Sequence, residues 1–182
     1  MNLTNHFLIS TGNLRRSIFE GAVIFICRHD SEGAFGLVVN KPSDTSVCEL
    51  LDSLKVEPPA SNNEFMVLRG GPVKQEQVFI LHTPAKEFDV TIKVGEDIGV
   101  TLSRDILTAV SEGCAPEKLF FYFGYAGWGE GQLEEEVSEN AWITIPASPE
   151  IIFDLPASQR LDEATKRLGF DISNLSDFAG HA

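Results

Sequence analysis

The chain has 182 residues, 43% of them hydrophobic and 23% charged, which is the length of one domain and an ordinary globular composition. Fourteen Lys and Arg against 27 Asp and Glu leave a net charge of −13, a surface that duplex DNA and anionic lipid both repel. Direct nucleic-acid and membrane-surface binding are disfavoured, whereas a basic protein partner or a cation suits this charge.

The three cysteines, Cys27, Cys48 and Cys114, form no CxxC pair, which fits reduced thiols better than a zinc or disulfide framework. The first residues carry no charged-then-apolar leader. The longest apolar run, 22–27, is far too short to span a bilayer. A soluble cytoplasmic protein is expected.

In chain order, residues 7–9 read as a short strand. The run 22–27 (AVIFIC) is continuously β-branched or aromatic, as in a strand covered on both faces. The HDSEG stretch at 29–33 is turn chemistry leading into 35–39, so these two runs form a hairpin. Val47, Leu50, Leu51 and Leu54 lie at helical spacing, and Pro58-Pro59 with a polar loop at 60–63 ends that helix. Strands follow at 65–68, 78–81, 90–94 and 98–102. Ser103 is placed to N-cap a helix through Val110, with Asp105 in its first turn and Gly113 past its end. A near-continuous apolar strand covers 119–125, a helix covers about 132–140, and a strand at 142–145 stops at Pro146. Ser158 is placed to cap a last helix whose Leu161, Ala164 and Leu168 share one face, with Gly169 terminating it. Strands and helices are mixed without regular alternation, no linker divides the chain, and one α+β domain over 1–182 with about four helices is expected.

The most unusual segment is GYAGWGEGQLEEE at 124–136. Its glycines let the backbone leave a buried strand and turn sharply into a helix. Phosphate binding is a weak reading, because the spacing is neither GxGxxG nor a P-loop and four glutamates crowd the turn. Leu133 and Val137 should face the core, while Gln132 and Glu136, four apart, are close in space. The candidate binding residues are Tyr125, Trp128, Gln132 and Glu136. An exposed Trp128 makes this a ligand or peptide pocket, and a buried one makes it a packed corner.

Other motifs carry less chemistry. Arg69-Gly70-Gly71-Pro72-Val73 reads as a tight turn between strands, with an anion nest beside Arg69 as the alternative. The four histidines, His6, His29, His82 and His181, show no metal-ligand spacing. Cys27 and His29 are two apart and share a face on a strand, but Cys27 ends a run that reads as buried, which makes a thiol inert. No GxSxG elbow occurs. Neither a catalytic set, a metal site nor a cofactor is implied, and the pattern fixes no oligomeric state.

Taken together, His6-Phe7-Leu8-Ile9, the stretch 23–29, GAFGLVVNKP at 33–42, Gly70-Gly71-Pro72-Val73, Leu81-His82, GYAGW at 124–128 with GQLE at 131–134, and Gly180-His181-Ala182 resemble the AlgH/YqgE family along the whole chain. The resemblance implies a bacterial protein with a mixed α+β fold, a bent sheet partly closed like a barrel and helices around it. It implies no particular activity. A link to alginate production gives one branch its name and suggests a transcriptional regulator, which the charge of −13 opposes as a direct DNA contact. Two positions depart from the family pattern. Arg28 stands where an acid usually precedes the histidine, and Thr11-Gly12 replaces the usual Met-Pro. The expectation is a non-enzymatic binding or regulatory protein acting through protein contacts. The alternative is a small-ligand or divalent-cation sensor or enzyme using the same pocket.

Overall fold

The computed structural model describes residues 1–59 and 65–169; the loop expected at 60–63 and His181 lie outside them. The elements begin with β1 (His6–Ser10), a 3-10 turn at Gly12–Leu14, β2 (Val23–Asp30), β3 (Gly33–Val38), α1 (Val47–Ser53) and β4 (Met66–Arg69). Next come β5 (Val73–Thr83), β6 (Thr91–Val94), β7 (Ile98–Thr101), α2 (Asp105–Ser111) and β8 (Lys118–Trp128). The chain continues with α3 (Gln132–Ser138), β9 (Trp142–Pro146), α4 (Pro149–Phe153) and α5 (Ala157–Lys166). The fold is mixed α+β, and its residues gather into two compact units, 1–41 with the chain from 126 on, and Pro42–Tyr125.

In the first unit, the last residues of β8 pair antiparallel with β3, and β3, β2, β1 and β9 follow in that order. The β2–β3 hairpin forms as the sequence predicts, but β2 runs on to Asp30, so the turn shrinks to Ser31-Glu32. A bulge between Ile26 and Arg28 lets the strand extend. The apolar run of β2 is buried residue after residue, and no alternation survives because both faces are covered. Leu8, Ile24, Ile26, Val38, Trp128 and Trp142 share one cluster with Leu133 of α3.

In the second unit, β8 lies between β4, which pairs with it parallel, and β5, which pairs antiparallel; β7 and β6 continue beyond β5. Leu50 and Leu51 of α1 and Ile106, Leu107 and Val110 of α2 are buried in one cluster with Ile80, Leu119 and Phe121. Each such side chain contributes roughly 1.5–3 kcal/mol through burial. Ser46 starts α1 with a capping box: Ser46 Oγ accepts from Glu49 N at 3.2 Å, and Ser46 N donates to the Glu49 carboxylate at 2.7 Å. The Gly70-Gly71 turn crosses close to β8. A Cβ on Gly124 would sit 2.5 Å from the Gly71 carbonyl oxygen, and φ there is +67°, so only glycine fits without strain.

Two helix starts differ from expectation. Ser103 does not cap α2: its Oγ donates to Asp105 Oδ1 at 2.5 Å and accepts from Val90 N at 2.9 Å, and Arg104 occupies the cap without a side-chain bond. Ser158 lies inside α5, because Pro156 takes the cap position with its ring-fixed φ of −55°. The buried face of α5 is also rotated from the one expected. It carries Ala157, Arg160, Ala164 and Thr165, with Leu161 and Leu168 half-buried. The buried Arg160 guanidinium donates to the carbonyl oxygens of Val39 and Leu155. The described residues hold five α-helices; the extra one is α4, a single apolar turn whose Ile151, Ile152 and Phe153 are all buried.

His82 is buried at the end of a hydrogen-bond chain whose proton positions are fixed. Nδ1 lies 3.1 Å from the Pro84 carbonyl oxygen, which can only accept, so Nδ1 carries the proton. Nε2 then accepts from Thr101 Oγ1 at 2.8 Å, Thr101 accepts from Thr91 at 2.7 Å, and Thr91 accepts from Phe88 N at 3.0 Å. Burial lowers the His82 pKa below its ordinary 6.5. The unfolded chain therefore takes up a proton at a pH where the folded protein does not, and stability falls as pH drops below about 6.5 until the lowered folded value is reached. Urea denaturation across that range should show this slope in the native protein and a shallower one in His82→Gln. A Cβ on Gly99 would lie 2.4 Å from His82 Cε1. Gly99→Ala should therefore cost about 1–3 kcal/mol, read as a lower urea midpoint.

Candidate functional site

Within the first unit, β8 ends at Trp128, and the chain turns through Gly131, held at φ +71°, into α3. Gln132, Glu136 and Glu139 recur at intervals of four and three residues, so they share one side of this helix. Leu133 is buried and Val137 packs half-buried against the same cluster. The helix is therefore apolar toward the core and acidic toward solvent.

The Glu136 carboxylate is the centre of the site. Its Oε2 accepts from the indole N–H of Trp128 and from that of Trp142, each at 2.8 Å. Its Oε1 accepts from Gln132 Nε2 at 2.9 Å, while Gln132 Oε1 accepts from Gly129 N at 3.0 Å. All three donors to the carboxylate are neutral. They hold the carboxylate in place without cancelling its charge.

Beside this cluster opens a cleft of about 450 Å³. One wall is the Gln132, Glu136 and Glu139 side of α3, and the other is Asn13, Leu14 and Phe19. Trp128, Trp142 and Ala141 lie between. Asn13 Nδ2 donates to the carbonyl oxygens of Glu139 at 3.2 Å and Asn140 at 3.3 Å, which ties the walls together. The Trp142 ring meets Phe19 and Trp128 edge to face, with centroids 5.6 and 6.0 Å apart.

Of the four candidate residues, Trp128, Gln132 and Glu136 line this cleft. Tyr125 belongs to the other unit, where its ring packs edge-on against Phe79 at 5.5 Å. Trp128 is 7% exposed, so the corner is packed and a cleft nonetheless adjoins it at Gln132. Trp142, Asn13, Phe19 and Glu139 are additions from the structure. Glu139 continues the 132/136 spacing and was legible in principle; the others arrive through long-range pairing that one sequence does not encode visibly.

The remaining polar groups are engaged elsewhere. His29 Nδ1 accepts from Leu3 N at 3.1 Å, which leaves Nε2 to carry the proton and donate to Glu134 at 3.0 Å. No lone pair remains on that ring to serve as a base. The Glu134 pKa is lowered first by its own backbone N–H and further by His29, against partial desolvation. The Cys27 thiol is buried and its pKa is pushed far up by that burial; its Sγ points at the Phe25 carbonyl, 3.6 Å away. In the other unit, Arg69 is paired with Asp44 beside the Gly70-Gly71 turn. Among the described residues no three His, Cys, Asp or Glu side chains gather closely enough to hold a metal, and no helix is long and apolar enough to cross a membrane.

Comparison with known proteins places the chain. It belongs to the AlgH-like family, whose pattern matches residues 7–173. A UPF0301 protein of Idiomarina loihiensis is 46% identical over the whole chain and 99% of its own length, and one of Thiobacillus denitrificans is 44% identical over the whole chain and 98% of its own. The solution structure of AlgH from Pseudomonas aeruginosa superposes with a TM-score of 0.82 at 41% identity, covering all of this chain and 97% of that one. A Corynebacterium diphtheriae protein crystal structure, at 20% identity and TM-score 0.75 over 96% and 91% of the two chains, shares the fold.

The bonding around Glu136 sets an expected order of variants. Glu136→Ala removes the acceptor of two indole N–H groups on largely buried rings and should cost about 2–4 kcal/mol. Glu136→Gln keeps one acceptor oxygen and should cost about 1 kcal/mol. Urea midpoints of the two variants against the native protein check this order.

Proposed function

We propose that this protein is a non-enzymatic binding or regulatory module of the cytoplasm, acting through protein contacts, with the cleft between α3 and the 13–19 segment as its contact point. The observation that carries this reading is the internal pairing of the site's polar groups. The two indoles, the Gln132 amide and Glu136 satisfy one another, so the cleft offers a fixed shape and a fixed charge rather than a proton or electron pair to transfer. Preformed and rigid, it suits recognition at low entropic cost. The net charge of −13 directs that recognition away from nucleic acid and toward proteins. The family match runs through both units, which supports treating them as one functional domain.

A second reading rests on the size of the cleft. At about 450 Å³ it falls within the usual range for small-molecule sites, so the same place could serve a small-ligand or divalent-cation sensor or enzyme. The two readings separate experimentally. A photo-cross-linking phenylalanine analogue at exposed Gln132 should give a discrete protein adduct in the native host. The same analogue at exposed Asp52 of the other unit should not, and adding Asn13→Arg to the facing wall should abolish the Gln132 adduct. Identical cross-linking from both positions, or none from Gln132, would overturn the protein-contact reading. A small molecule or metal retained in native mass spectrometry would then favour the sensor.

A further inference from the structure

We propose that the cleft receives a cationic side chain, arginine or lysine, from a basic segment of the partner; this rests on the protein-contact reading above. The argument begins with what lines the space. Glu136 of α3 and Glu139, the residue that caps the end of that helix, are among the lining residues, and no Lys, Arg or His is. Glu136 accepts from neutral donors, two indoles and one amide. Among the described residues neither carboxylate forms an ion pair, and neither do Arg15 and Arg16 beside the facing wall. A full negative charge is thus held in position and left unneutralised.

Its surroundings leave the field of that charge less screened. Trp128 and Trp142 are buried, and Phe19 and Leu14 close the opposite wall, so apolar groups displace part of the water that would screen the carboxylate. An ammonium or guanidinium carried on a methylene stem matches both features, with the stem along the aromatic wall and the head at the carboxylates. One oxygen geometry is specific to this arrangement. Oε2 already accepts two bonds, but Oε1 accepts one, from Gln132, and a carboxylate oxygen has room for a second. An acidic or phosphorylated segment would meet like charge at the same place and is excluded by repulsion.

The protein contains its own reporter for this binding. Its two tryptophans, Trp128 and Trp142, both line the cleft, so intrinsic tryptophan emission reads the site directly. The full-length protein would be titrated with a short glycine–serine peptide carrying one central arginine, and with the same peptide carrying citrulline, the neutral isostere. Concentrations up to about 10 mM cover the weak affinity expected of a single anchored side chain. The arginine peptide should give a saturable emission change, weakening with added salt, and citrulline should need roughly tenfold more. The exposed-site variant Glu139→Gln should weaken the arginine response about threefold, with its circular dichroism unchanged. An equal response to both peptides overturns the preference for charge while leaving the cleft a peptide site. No response to either peptide, with the Gln132 cross-link intact, overturns this inference alone; loss of that cross-link as well overturns both readings.

Discussion

A single carboxylate oxygen accepting two indole N–H groups joins three separate stretches of chain. Trp128 ends β8, Trp142 opens β9, and Glu136 sits on the helix between them. Each indole is too large to leave its N–H unpaired in a packed corner, and Glu136 answers both from one atom. The position of α3 is thereby set by polar geometry as well as by Leu133 beneath it. The cleft beside it inherits its shape from that joint. Without Glu136 only the packing of Leu133 and the Asn13 bonds to the Glu139 and Asn140 carbonyls would hold the acidic side of α3 against the indoles and the facing wall.

The histidines show the same economy of proton placement. At His29 a backbone donor fills one nitrogen and a carboxylate takes the proton of the other. At His82 a carbonyl, two threonines and a backbone amide orient every hydrogen along the chain. Both rings are oriented by their neighbours, which is how histidine behaves when it specifies packing rather than proton transfer. Cys27, the remaining reactive type near His29 in sequence, is held as a buried thiol with its pKa raised.

Much of this was legible where one physical term dominates. The apolar runs of β2 and β8 mark strands, that of β2 one covered on both faces, and the 132/136 spacing marks a side-chain pair that is bonded at 2.9 Å. Helix starts were harder, because a serine before a helix has rival partners. Ser103 is held by Val90 and Asp105, and Pro156 displaces Ser158 from the cap. The capping box at Ser46 and Glu49 stands in the sequence as S-x-x-E, a start signal for α1 that the apolar spacing alone does not supply. Arg160 inverts the usual rule: a charged residue is fully buried on α5 because the Val39 and Leu155 carbonyls meet its donors there. The short α4 leaves no helical signal in the sequence, since five residues are too few to display a helical period. Trp142 and Phe19 reach the cleft through the β1–β9 pairing and the loop before β2, contacts that no local pattern encodes.

The first unit is assembled from both ends of the described chain, with the second unit made in between. During synthesis β1, β2 and β3 emerge first, yet β9, which covers the outer edge of β1, is not made until the ribosome has passed residue 142. Through that interval the nascent chain carries an apolar hairpin with an open hydrogen-bonding edge, the kind of surface that recruits other strands. Synthesis halted before β9 would leave this edge permanently uncovered. Any truncated product ending within the second unit would also lack the end of β8 that covers β3, and with both edges of the hairpin open it would be a seed for aggregation.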